Sequence, residues 1–109
     1  MDKETIEYDY DYLVVFEAGI DPLDPEHSKI PAQVLGYGEM STVMTFDGGG
    51  ANLVYKRMPM FHDKAELEPF LAQYEFYLEH MTVAGIDVVP AAITSITLKN
   101  GNIVVYIIQ

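Results

Sequence analysis

The chain has 109 residues and a mass of 12.3 kDa, which fits one domain around a single modest core. Half of the residues are hydrophobic and 21% are charged, so the composition is not that of a disordered chain, and no apolar run approaches the roughly 18 residues of a membrane span. Cysteine is absent, which excludes disulfides and thiolate metal sites and makes a cytoplasmic location the default, and a formal charge of −11 argues against nucleic acid as a direct partner.

The acid is unevenly placed. Residues 1–29 hold nine carboxylates against Lys3 and Lys29, a net −7, while residues 30–109 carry a net −4. Residues 1–29 therefore read as an acidic N-terminal extension and residues 30–109 as the folded unit. Met1 to Asp11 is acidic, unlike a signal peptide. Ile6, Tyr8, Tyr10 and Tyr12 alternate with Glu7, Asp9 and Asp11, and this period of two predicts a strand, continued by the apolar run Leu13 to Phe16. Such a strand would pack on its own domain or pair with a second copy. Pro22, Pro25 and Pro31 mark Gly19 to Pro31 as mostly loop.

From Ala32 the pattern becomes a meander. Ala32 to Tyr37 and Thr42 to Phe46 are short β-prone runs; Asp47-Gly48-Gly49-Gly50 is a turn signal; Ala51 to Met58 follows as a third run. Asp63 to Gly85 is the one convincing helical stretch, with a capping-box-like Asp63 and Glu66, a C-cap at Gly85, and Phe70, Leu71, Tyr74, Leu78 and Met81 on one face. Pro69 suits a first turn, so the main helix is expected to begin near Glu68 after a short preceding turn. Beyond Pro90, Ala92 to Leu98 and Ile103 to Ile108 form a hairpin around Asn100-Gly101. The expected fold is α+β: a twisted antiparallel five-stranded sheet with one main helix packed on it, plus the acidic N-terminal strand or arm.

Three features carry possible chemistry. Gly36-Tyr37-Gly38-Glu39-Met40-Ser41-Thr42-Val43 is a GxGxxSxV pattern between two predicted strands; glycines let backbone amides approach phosphate oxygens, and the valine can pack on a planar base. Alone, two glycines at a hairpin tip read as a turn. Lys56 shares a strand face with Val54 and Met58, so its ammonium either snorkels to water or meets an anion. Glu75 lies beside Leu71 and Leu78 at the margin of the apolar helix face, bordering solvent or facing a cation such as Lys56.

A glycine-rich strand turn, a strand lysine 20 residues after Gly36 and a helix carboxylate 19 residues later, within a β-β-β-α-β-β order, resemble the small N-terminal lobe of the protein-kinase-like superfamily. Helix length and the Val89-Pro90 lead into the next strand look more like bacterial phosphotransferases of the aminoglycoside or choline kinase type. The resemblance covers residues 30–109 and implies that Gly36, Gly38 and Ser41 form a phosphate loop. It further implies that Val43 packs on adenine, that Lys56 contacts the α- and β-phosphates, and that Glu75 orients Lys56. Ile107 or Ile108 would then lie near the adenine pocket, with Gln109 at the crossing to a second lobe. The implied ligand is ATP, accompanied by Mg2+ in a complete enzyme.

In this superfamily the base aspartate, the following asparagine and the metal-binding aspartate come from the C-terminal lobe, and no residues remain after Gln109 to supply them. The chain is thus expected to be a lobe truncated at the hinge, catalytically incomplete by itself. Part of the helix and Ile103 to Ile108 should then expose apolar area and favour a homo-oligomer. The competing expectation is a non-enzymatic acidic α+β module that binds a basic partner or self-associates through its tyrosine-rich strand. His27, His62 and His80 are scattered without metal-ligand spacing, Asp21, Asp24 and Glu26 lack the spacing of a calcium loop, and the methionines read as core filler.

Overall fold

The computed structural model describes residues 6–37, 41–50, 52–86 and 90–109. Five strands, β1 (Ala32–Tyr37), β2 (Thr42–Phe46), β3 (Tyr55–Arg57), β4 (Ala92–Thr97) and β5 (Ile103–Ile108), form one antiparallel sheet in the order β1-β2-β3-β5-β4. Helix α1 (Tyr10–Gly19) covers one face and helix α2 (Lys64–Val83) the other. The α+β architecture and the antiparallel five-stranded sheet agree with expectation; a second helix does not.

That second helix replaces the strand expected over residues 6–16. Residues 6–9 are extended, and Asp9 then caps a helix by accepting from the Tyr12 amide at 3.1 Å. Leu13, Phe16 and Glu17 face inward at helical spacing, whereas Val15, in the middle of the apolar run, is 59% exposed. Phe16 stacks on Phe46 with ring centroids 3.8 Å apart, and burying Leu13 and Phe16 stabilises the docked helix by roughly 1.5–3 kcal/mol per side chain. Among its described residues the acidic extension is therefore no free arm. With Leu13 and Phe16 in the core, the tyrosine-rich strand offered for self-association does not exist.

Helix α2 starts where the capping signal stands. The Asp63 side chain accepts from the Glu66 amide at 3.0 Å, and the Glu66 carboxylate accepts from the His62 amide at 2.9 Å. It runs unbroken through Pro69, so the two-part helix expected there is one helix. At its other end the amides of Gly85 and Ile86 donate to the Thr82 and Met81 carbonyls, with Gly85 at φ +78° closing the C-cap. Leu67, Phe70 and Leu71 fix its first turns onto Met58, Phe61, Ile93, Ile103 and Val105.

Strand β5 explains why the sheet has two covered faces. All six of its residues are buried: Ile103 and Val105 pack under α2, while Val104, Tyr106 and Ile108 pack under α1. A near-continuous β-branched run is what an inner strand covered on both sides requires. The exposed apolar area expected at Ile103 to Ile108 is accordingly absent, because β3 and β4 flank this strand and both helices roof it. The β4–β5 hairpin turns at Gly101, φ +90°, as the Asn-Gly signal requires. Strand β3 is shorter than the run from Ala51 to Met58, since Gly50, φ +100°, and Asn52, φ 63°, keep the glycine loop turning to that point.

Candidate functional site

Pairing in the sheet brings three of the sequence-predicted site residues into one line. Gly36 on β1 pairs with Val43 on β2, Val43 with Lys56 on β3, Lys56 with Ile107 on β5, and Ile107 with Ile93 on β4. Side chains paired across an antiparallel sheet share a face. Ile93 packs under α2, and the neighbours of Lys56, Tyr55 and Arg57, turn toward α1, so the line lies on the α2 face. Because α2 is anchored by its first turns over β5 and β4, the segment at Gly36, Val43 and Lys56 lies to one side of the helix contact.

Several details set this segment apart from the rest of the sheet. The β1–β2 register shifts between Val34 and Gly36, and a Cβ added at Gly36 would meet nothing within 4 Å. Ser41, Val43 and Lys56 are half-buried. Gly38 lies outside the described residues. Among the described residues, Lys56 has no carboxylate within ion-pair distance, and its half-buried side chain stands in an otherwise apolar row.

Glu75 is on α2, the helix of the same face, but it is exposed and makes no ion pair with Lys56. It lines a cavity of about 350 Å3 between α2 and β4, together with Leu71, Ile93, Thr94 and Ser95. The row thus separates the two groups: Ile107 on β5 stands between Lys56 on β3 and the β4 residues, Ile93 among them, over which Glu75 sits. Ile108 is fully buried among residues that pack under α1, on the opposite face, so Ile107 is the member of that pair that shares the Lys56 row.

The strongest polar constellation escaped the sequence reading and lies on the α1 face. The Arg57 Nε and Nη2 donate to the two Glu17 carboxylate oxygens at 2.9 and 3.1 Å, and the Tyr106 hydroxyl donates to Oε1 at 2.6 Å. Only 4% of the Glu17 side chain and 13% of the Arg57 side chain are exposed. Burial opposes the Arg57 charge, but the hydrogen bond and negative charge of Glu17 outweigh it and raise the guanidinium pKa further. Burial first, then the charge and hydrogen bond of Glu17, push the Tyr106 phenol far above its ordinary value. These three groups are mutually satisfied, so they hold α1 to β3 and β5 rather than awaiting a ligand. Two signals foreshadow them: Leu13, Phe16, Glu17 and Ile20 fall at helical spacing, and Arg57 alternates with Lys56.

The glycine loop is also occupied by its own fold. The Tyr12 hydroxyl donates to the Asp47 carbonyl at 2.9 Å, the Tyr55 hydroxyl donates to the Gly49 carbonyl, and the Tyr12 ring fills the space beside Gly48. His27 pairs with Asp24 at 2.8 Å in full solvent, and the hydrogen bond and charge of that carboxylate raise its pKa. No group of three potential metal ligands occurs among the described residues, and none of their helices is long and apolar enough to cross a membrane.

Comparisons of the chain with protein families, with curated proteins and with solved structures find no match.

Proposed function

We propose that the chain is the nucleotide-binding small lobe of a kinase-like phosphotransferase. The observation that carries this reading is the half-buried side chain of Lys56, set in line with Val43 and Gly36 and lacking a carboxylate partner among the described residues. A phosphate chain supplies the anion that such a cation lacks, the open backbone at Gly36 lets phosphate oxygens come close, and Val43 offers an apolar platform for a base. ATP would thus lie along the sheet row, with its phosphates toward Lys56 and the loop after β1. Mg2+ bound to those phosphates would neutralise charge on the transferred group, and the groups that move the γ-phosphoryl to an acceptor would come from a second lobe. Glu75 would turn toward Lys56 only as the helix shifts across the β4 cavity.

Titration of Mg-ATP into isotopically labelled protein tests the reading. At about 10 mM ligand, enough to saturate a site worth roughly 4 kcal/mol, amides of Gly36 to Val43 and the Lys56 side chain are expected to shift. Lys56→Met should abolish those shifts while leaving the fold intact. An unperturbed row in the unsubstituted protein, or shifts that survive Lys56→Met, would overturn the assignment.

A further inference from the structure

Helix α2 is longer than the surface it covers. Its first turns are pinned by Leu67, Phe70 and Leu71, but beyond them Phe76 is 68% exposed, Tyr77 53% and Val83 84%. Two shallow grooves run side by side along this second half, one of about 440 Å3 that includes Glu75, Leu78, Glu79 and Val83, the other of about 190 Å3 between Phe76, Glu79, His80 and Val83. They share Glu79 and Val83, so they form one continuous strip in which Glu75 and Glu79 stand among the apolar side chains of Phe76, Leu78 and Val83. A contiguous exposed strip of this kind marks an interaction surface.

The charge pattern selects the occupant. From Ala65 to Ile86 the chain has four carboxylates, Glu66, Glu68, Glu75 and Glu79, and no lysine or arginine. The last turn of α2 also presents the negative end of the helix dipole. A second copy would set Glu75 and Glu79 against carboxylates like themselves, on a protein of net charge −11, which opposes self-association at this face. We infer that the second half of α2 docks a basic amphipathic helix, whose apolar side chains enter the strip between Phe76 and Val83 and whose lysines or arginines meet Glu75 and Glu79. This surface shares Glu75 with the nucleotide assignment, but the peptide test below needs no nucleotide and reads the docking strip by itself.

The probe is a peptide of about four helical turns made only of leucine and lysine, apolar on one side and cationic on the other. In labelled protein it is expected to shift amides between Glu75 and Val83, with affinity falling as salt rises. Phe76→Ser with Val83→Ser, and separately Glu75→Lys with Glu79→Lys, should each weaken binding about tenfold, or roughly 1.4 kcal/mol, with far-UV circular dichroism unchanged because all four side chains are solvent-facing. Glu7→Lys with Asp11→Lys alters net charge equally and should change affinity by less than about twofold. Equal weakening by that control pair, shifts located elsewhere, no binding, or a concentration-dependent dimer lost on Phe76→Ser would each overturn the inference.

Discussion

Replacing Glu17 by alanine removes the acceptor of three hydrogen bonds, two from Arg57 and one from Tyr106, at a carboxylate whose side chain is 4% exposed. The Arg57 guanidinium stays charged and stays under α1, now without a counter-charge. Leaving one partner of a buried ion pair alone costs about 3–5 kcal/mol, about a fifth or more of the roughly 5–15 kcal/mol by which a small domain is stable. At about 4–8 °C per kcal/mol for a domain near this size, the melting temperature should fall by at least 12 °C or so. Thermal unfolding followed by far-UV circular dichroism measures the loss. Pairing Glu17→Met with Arg57→Met removes both charges and keeps most of the packing volume, so the double variant should be more stable than Glu17→Ala alone. A loss below about 1 kcal/mol for Glu17→Ala, or a double variant no better than the single one, would refute the view that the pair is desolvated and mutually dependent.

Alkaline titration tests the same cluster from the Tyr106 side. The folded-state pKa is raised, so the contribution to stability is complete below the ordinary value of 10.0 and is lost as pH rises above it, because the unfolded phenol ionises first. Tyrosinate absorbance should therefore show Tyr106 ionising only with unfolding, and denaturant midpoints should decline with pH above 10. Gly48→Ala places a methyl group 2.4 Å from the Tyr12 ring at φ +86°; a loss of about 2 kcal/mol or more is expected in urea unfolding, and a neutral result would mean that the glycine loop is not packed on α1. Asp63→Ala removes the N-cap of α2 and should cost about 1 kcal/mol, read as a lower denaturant midpoint at unchanged slope.

Local chemistry was sufficient for much of this fold. Strands β1, β2 and β5 occupy the predicted residues, and the Asn100-Gly101 turn, the Asp63 cap and the Gly85 terminus all act within a few residues of themselves. Signals of that range survive in any tertiary setting, because each is satisfied by neighbours in sequence. Residues 6–16 misled for the same reason: the period of two ends where Asp9 caps a helix, and the apolar Val15 hides which of its neighbours turn inward. The candidate nucleotide row was legible as residue types, but its alignment was not, since Gly36, Val43 and Lys56 come together only through strand pairing.

From the amino-acid order alone came the sheet-forming segments, the capped ends of α2 at Asp63 and Gly85, the acidity of its second half and the choice of Gly36, Val43, Lys56 and Glu75 as residues to watch. Tertiary structure alone decided that the N-terminal segment is a helix roofing the sheet, that Glu17 meets Arg57 and Tyr106 beneath it, and that Glu75 stands clear of Lys56. Caps, turns and amphipathic faces depend on free energies gained between near neighbours. A buried ion pair between residues 17 and 57, and the gap between a strand and a helix, depend on which surfaces the whole chain closes against each other.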